Sequence, residues 1–212
     1  MSTNRESALR ASAGAHLLLL NSDTVVSSGA VDTLMRELAA HPEAAVVGPR
    51  LVDAEGRAEL SFGRMISPLA DLRQKRLTRG HERRDRSASR QIEAMTRHVQ
   101  WPDWVTGACL LVRRADAEAV GLLDERYFMY TEDVDFCAAI RARGRRILFT
   151  PAAQIVHVRG RSVASAPAAT RSAYRRSQIA FYEKHHPLLA PLLRGYLRLK
   201  SGGSGKSGGS GG

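Results

Sequence analysis

Two acidic clusters, far apart in the chain, hold the residue types that could do chemistry. In Tyr130-Thr131-Glu132-Asp133-Val134-Asp135, three carboxylates fall within four residues at what reads as a helix start. Carboxylates held this close repel, and the repulsion favours a group able to take up a proton, the condition for a general base. Far upstream, the apolar run Leu17-Leu18-Leu19-Leu20 ends abruptly in Asn21-Ser22-Asp23. A buried strand that delivers an acid to its C-terminal end offers a hard oxygen ligand for Mg²⁺ or Mn²⁺ against a diphosphate. His157, near the end of Ile155-Val156-His157-Val158, adds an imidazole.

Each cluster also has a structural reading. Asn and Asp after a strand commonly bond their own backbone in a turn. Acids in a first helical turn complement the dipole by about 0.3–1 kcal/mol each, and Thr131 is a suitable N-cap. A single His on an apolar strand is more often a satisfied core residue than a metal ligand. Trp104, Phe128 and Tyr130 could stack on a sugar face, or they could pack as core aromatics.

The elements that must position these residues follow from hydrophobic spacing. Ala15 to Leu20 reads as a buried strand, and Ser27 or Ser28 caps a helix carrying Val31, Leu34, Met35 and Leu38, ended by His41-Pro42. Ala44 to Gly48 reads as a second strand, and residues 51–57 as a hairpin-like turn in which Gly56 supplies the unusual backbone angle. The strand–helix–strand order predicts a parallel sheet with crossover helices. Residues 63–98 are polar and basic, a long insert or loop with a helix near 68–78. Trp104 to Arg113 is apolar around Gly107-Ala108, a strand to whose backbone something must come close. Short and long helices follow at 115–120 and 132–143, closed by Gly121 and Gly144. Strands at 146–149 and 154–158, separated by Pro151, and a basic helix over about 171–186 complete the reading. One domain spans 1–200, and Ser201 to Gly212, built of Ser, Gly and one Lys, reads as a flexible tail.

A chain of 212 residues can bury a full core, and its net charge of +11 is locally concentrated. Residues 64–90 hold nine basic and three acidic side chains, and residues 159–200 hold nine and one. Such patches attract nucleic acid, anionic lipid or diphosphate-bearing substrates, or are simply solvated surface. Interleaved aromatics and nucleic-acid motifs are missing, so nucleic acid ranks last. Cys109 and Cys137 lack Cys-x-x-Cys spacing and sit in apolar context, which predicts core thiols in a reducing compartment. With neither a signal-peptide pattern nor a run long enough to span a membrane, the expected location is cytoplasmic, peripheral to the inner face of the plasma membrane.

Taken in order, five stretches resemble the family 2 inverting glycosyltransferases with a GT-A fold, in particular the rhamnosyltransferase-like branch. They are residues 17–24, Val-Val-Gly-Pro-Arg-Leu at 46–51, Trp-Val-Thr-Gly-Ala-Cys-Leu-Leu-Val-Arg-Arg at 104–114, residues 120–137, and Pro151 through His157 to Ser162. The resemblance runs over roughly residues 5–190 and implies a three-layer α/β/α fold with a mixed, mainly parallel sheet. It further implies an N-terminally truncated form, in which the nucleobase-binding segment of such enzymes is not represented.

Roles follow from the resemblance. Asn21-Ser22-Asp23 looks like the family's Asp-x-Asp variant, so Asp23 would bind Mg²⁺ or Mn²⁺ and the donor diphosphate, with His157 as a second contact. Asp133 looks like the catalytic base, with Glu132 beside it. Asn21, Trp104, Gly107, Ala108 and Asp135 would contact donor or acceptor. The implied reaction moves a sugar, rhamnose among the candidates, from a dTDP- or UDP-sugar to a polyprenyl-diphosphate-linked or polysaccharide acceptor. A partner chain or second copy would cover the truncated sheet edge. The competing reading is a catalytically inert fragment that serves as a binding or assembly module.

Overall fold

The computed structural model describes residues 9, 11–127, 131–158 and 167–202, with backbone alone for 167–171 and 200–202. Strands β1 (His16–Leu20), β2 (Thr24–Val26), β3 (Ala44–Val52), β6 (Cys109–Arg113) and β7 (Arg146–His157) form one sheet in the order β1-β6-β3-β7-β2. The sheet is mixed, as expected. Parallel pairing is confined to β3 and β7, the longest pair, while β1–β6, β3–β6 and β2–β7 run antiparallel. The parallel share is therefore smaller than the strand–helix–strand reading suggested.

Side-chain alternation along the strands divides the core between the two faces. Leu17, Leu19, Val46, Leu110, Val112, Ile147 and Phe149 point to one face, where they meet Phe136, Cys137 and Ile140 of helix α5 (Glu132–Ala142) and Ala117 of α4 (Arg114–Ala119). Leu18, Val47, Cys109, Leu111 and Leu148 point to the other, where Ala30, Leu34 and Leu38 of α1 (Ala30–Ala40) cover them. Continuous apolar runs in β1, β3 and β6 are thus explained: both faces are covered. The result is the expected three-layer α/β/α arrangement.

Two sequence readings of local structure change. The strands expected on either side of Pro151 are one continuous strand, β7, whose register against β3 shifts between Pro49 and Arg50 and so absorbs the proline. The stretch 104–113 is instead two strands, β5 (Trp104–Val105) and β6, with Gly107-Ala108 in a turn between them. β5 pairs with β4 (Phe62–Gly63), and a Cβ on Gly63 would come within 2.9 Å of the Trp104 ring.

The basic insert is a helical hairpin, α2 (Pro68–Glu82) and α3 (Arg86–Met95), more ordered than a loop. Ser67 and Asp85 cap the two helices by accepting from Ala70 N and Ala88 N. α3 is anchored by fully buried Ile92 and by Glu93, whose two oxygens each lie 2.8 Å from Arg50 Nη2. α2 buries no residue at all. Apolar periodicity is weak here because Ile92 is the one buried residue of the two helices, with Met95 half-buried against the core. The chain closes with α6 (Pro167–His185) and α7 (Ala190–Gly202), the latter running two residues into the expected tail. No helix among the described residues is long and apolar enough to cross a membrane.

Candidate active site

The turn Thr106-Gly107-Ala108 ties the two acidic clusters together. Asn21 N donates to Ala108 O (2.9 Å), which fixes the end of β1 against the turn. Gly107 N donates to Asp133 Oδ2 (2.7 Å), which fixes the start of α5 on its other side. Residues remote in sequence thereby flank one short backbone segment.

At the β1–β2 junction, Thr24 N and Thr24 Oγ1 both donate to Asn21 O (3.3 and 2.7 Å), a turn closed through the Asn21 main-chain carbonyl. The turn frees the Asp23 carboxylate to face β7, where Thr24 lies opposite His157 in the register. Asp23 Oδ1 and His157 Nε2 stand 3.4 Å apart. The other ring nitrogen, His157 Nδ1, lies 3.0 Å from Glu59 Oε2. Glu59 is only 6% exposed and was not singled out in the sequence. Its signal was an acid at an inward position between Ala58 and Leu60, brought under β7 by the Gly56 turn, where Glu59 N donates to Leu51 O (2.9 Å).

A divalent cation fits this donor set. Asp23 supplies a hard oxygen and His157 Nε2 a lone pair on the same side, while Glu59 takes Nδ1–H and fixes the tautomer, the usual arrangement behind a metal-bound imidazole. Two protein ligands leave positions for diphosphate oxygens and water, the common mode for Mg²⁺ at phosphates. No group of three or more His, Cys, Asp or Glu ligands occurs among the described residues, so the substrate would have to complete the shell.

Thr131 does not cap α5 through its side chain. It takes a left-handed conformation, φ 73°, without a side-chain cap bond. For a β-branched residue this costs about 1–3 kcal/mol, and such strain gathers at functional sites. The strained turn sets α5 so that Asp133 Oδ2 meets Gly107 N while Oδ1 accepts from Val134 N (2.9 Å). Asp133 opens into a cleft of ≈ 390 Å³ lined by Thr106, Thr131, Trp104, Arg64, Lys75 and Arg79, among others. Trp104 thus belongs to the core and the cleft at once: its Nε1 donates to Arg64 O (2.8 Å) while the side chain packs, half-buried, against the core and lines the cleft. Phe128 and Tyr130 lie outside the described residues.

Asp135, expected to contact donor or acceptor, is instead 2% exposed and bonded within the chain. It accepts from Tyr127 Oη (3.1 Å) and Lys184 Nζ (2.8 Å), and His185 Nε2 lies 2.6 Å away. Lys184 also reaches Asp124 (3.0 Å). Burial opposes the Lys184 charge, but its bonds to Asp135 and Asp124 outweigh this and raise its pKa. Arg126 first, and Lys184 second, hold the Asp124 carboxyl well below the usual carboxylate range. The third acid of the cluster therefore docks α6 rather than facing the cleft. Both cysteines are buried thiols, their pKa pushed up to about 12 by burial.

The mixed sheet with helices on both faces is the fold of GT-A glycosyltransferases. Solved structures with this fold include GalNAc-T7 with UDP, GalNAc and Mn²⁺ (TM-score 0.53, 15% identity, 84% of this chain and 34% of that one). Another is the mannosyltransferase PcManGT of Pyrobaculum calidifontis with GDP-Man and Mn²⁺ (TM-score 0.52, 15% identity, 89% and 46%). The chain itself belongs to glycosyltransferase-like family 2, whose model matches residues 2–180. Among curated relatives, the N-acetylglucosaminyl-diphospho-decaprenol L-rhamnosyltransferase of Mycobacterium tuberculosis is 30% identical over 190 residues, 87% of this chain. The chain spans 62% of that relative's length. The rhamnosyltransferase WbbL of Escherichia coli K12 is 40% identical over 55 residues, 26% of this chain and 21% of its own.

Proposed function

We propose that the chain transfers a sugar from a nucleotide-sugar to a lipid-linked or polysaccharide acceptor, with inversion at the anomeric carbon. Asp133 takes the proton of the acceptor hydroxyl as its oxygen attacks the anomeric carbon. The bond from that carbon to the donor diphosphate breaks in the same displacement, and the nucleoside diphosphate departs. Glu132 stands beside the base. Asp23 and His157 would hold a divalent cation, which supplies charge stabilisation to the leaving diphosphate. Asn21 and the Gly107-Ala108 turn keep that site and the base in register. The observation that carries this reading is the turn itself, bonded to Asn21 on one side and to Asp133 on the other.

The names of the curated relatives support rhamnose as the sugar and a polyprenyl-diphosphate-linked N-acetylglucosamine as the acceptor. Exposed Leu188, Leu192 and Leu199 in and beside α7, within a basic stretch, support peripheral contact with anionic lipid at the cytoplasmic face of a membrane. The test is product formation from dTDP-rhamnose and a short polyprenyl-diphospho-N-acetylglucosamine. The intact chain should form a disaccharide lipid, and Asp133→Asn should lose about 10²–10⁴-fold in rate, the range for a positioned base. Equal rates in both proteins would remove Asp133 from the chemistry. Nucleotide binding without any product would favour a binding or assembly module.

A further inference from the structure

A groove of ≈ 2240 Å³ adjoins the Asp133 cleft. The α2–α3 hairpin forms one wall and α6–α7 the other. The walls touch at the floor, where Lys75 sits over the Tyr174 ring (5.3 Å) and Gln178 Nε2 reaches Asp71 (3.4 Å). Its size exceeds the 300–1,000 Å³ usual for compact small-molecule sites, and it is an open groove. Two chemistries divide it. Leu69, Leu72, Leu192 and Tyr196 line the groove yet are 77%, 65%, 71% and 59% exposed, an apolar surface left in water. Where the groove meets the Asp133 cleft, Arg64, Lys75 and Arg79 line both. Lys75 is paired with Asp71 (2.6 Å), whereas the Arg64 and Arg79 guanidinium groups make no ion pair among the described residues.

The base Asp133 shares its cleft with Arg64, Lys75 and Arg79, and these cations also line the groove that carries the exposed leucines, where Arg73, Arg76, Arg83 and Arg175 add further positive charge. A sugar joined through a diphosphate to an isoprenoid has the matching chemistries along its length: hydroxyl, diphosphate, hydrocarbon. Guanidinium forks match phosphate oxygens, and an apolar chain removes the exposed leucines from water. We propose that this groove binds the polyprenyl diphosphate of the acceptor, with Arg64 and Arg79 on the diphosphate and α2 and α7 embracing the prenyl chain. The inference rests on the transferase reading above and assigns the lipid half of its acceptor a place. It also gives α2, a helix without a buried residue, a surface to cover.

Calorimetric titration with farnesyl diphosphate and with inorganic pyrophosphate tests this directly. Farnesyl diphosphate should bind at least tenfold more tightly than pyrophosphate. Leu69→Asp combined with Leu192→Asp, both at exposed positions, should erase that preference, and Arg79→Gln should weaken both ligands. A thermal melt of each variant verifies that it is folded. Equal affinity for the two probes, or a preference that survives the double substitution, overturns the inference. So does tight binding to phosphatidylglycerol vesicles that is lost in the double variant while farnesyl diphosphate fails to bind; the trough would then face the bilayer. A parallel titration of the unaltered chain with dTDP and Mn²⁺ separates the two levels. Metal-dependent nucleotide binding without farnesyl diphosphate binding defeats the groove alone, and loss of both defeats the transferase reading beneath it.

Discussion

At the scale of single residues, the acids do different work despite their similar sequence context. Asp23 faces His157 and Asp133 lines the cleft, while Asp135, two residues beyond Asp133, is buried against Lys184 and His185. The motif made all three carboxylates legible as a cluster, but its helical placement decides their roles: Asp133 and Asp135 leave the helix about 200° apart, on opposing sides. Glu59 was illegible for another reason. Its meaning depends on His157, ninety-eight positions away, and only the pairing of β7 with β3 brings the two together. Replacing Glu59 with Leu should weaken Mn²⁺-dependent nucleotide binding by about 10–100-fold, the usual cost of losing an outer-shell partner. Glu59→Gln, whose amide oxygen still accepts from Nδ1–H, should restore much of it. Equal affinities in calorimetry for wild type and Glu59→Leu would show that the His157 tautomer does not matter. The cysteines offer a simpler check: Cys109 and Cys137 should resist a thiol reagent in the native protein at pH 8 and react on unfolding.

At the scale of elements, the strands and helices of the sheet were readable because each has a face that must be buried. Leu34 and Leu38 on α1 and the alternating residues of β3 and β6 declare those faces in sequence. The hairpin α2–α3 was not, because α2 buries nothing and its order comes from caps and from the Arg50–Glu93 pair. The docking of α6 through Asp135 belongs at this scale too. Asp135→Asn should cost about 2–3 kcal/mol. This lies at or below the low end of the roughly 3–5 kcal/mol lost when a buried ion pair is broken, since Lys184 remains partly in water. Urea unfolding measures it; a change below about 0.5 kcal/mol would mean that Asp135 does not hold α6 and that its other contacts, Phe181 and Tyr182 among them, do. The pH dependence of the same contact has a definite sign. The Asp124 carboxyl is depressed, so its contribution is present at neutral pH and fades only as pH falls below the ordinary carboxylate value of about 4. Lys184 is raised, so its contribution persists through neutral pH and fades as pH climbs through its elevated value. The stability difference between wild type and Lys184→Gln should accordingly be flat from pH 5 to about 9 and shrink on either side. A difference that grows towards acid would contradict this assignment.

At the scale of the whole molecule, the net charge of +11 and the open groove face the same question, how a chain with no membrane-crossing helix among its described residues would meet the proposed amphipathic acceptor. Among the described residues, both basic patches lie mainly on the elements that flank the groove, α2–α3 and α6–α7. Composition showed that the charge was concentrated, but only the fold shows that the patches stand opposite one another. Sedimentation with phosphatidylglycerol vesicles should fall steeply between 0.1 and 0.5 M salt if these patches lead the approach, and a salt-independent result would leave the exposed leucines as the cause. The proposed transfer requires the Asp23–His157 pair and the fold around it to form a working metal-diphosphate site. The measurement that decides it most directly is calorimetric titration of dTDP and UDP into the chain, with and without Mn²⁺, repeated on Asp23→Ala. The account predicts binding that requires Mn²⁺ and disappears in the variant. Binding that ignores the metal, or that survives the loss of Asp23, would contradict it.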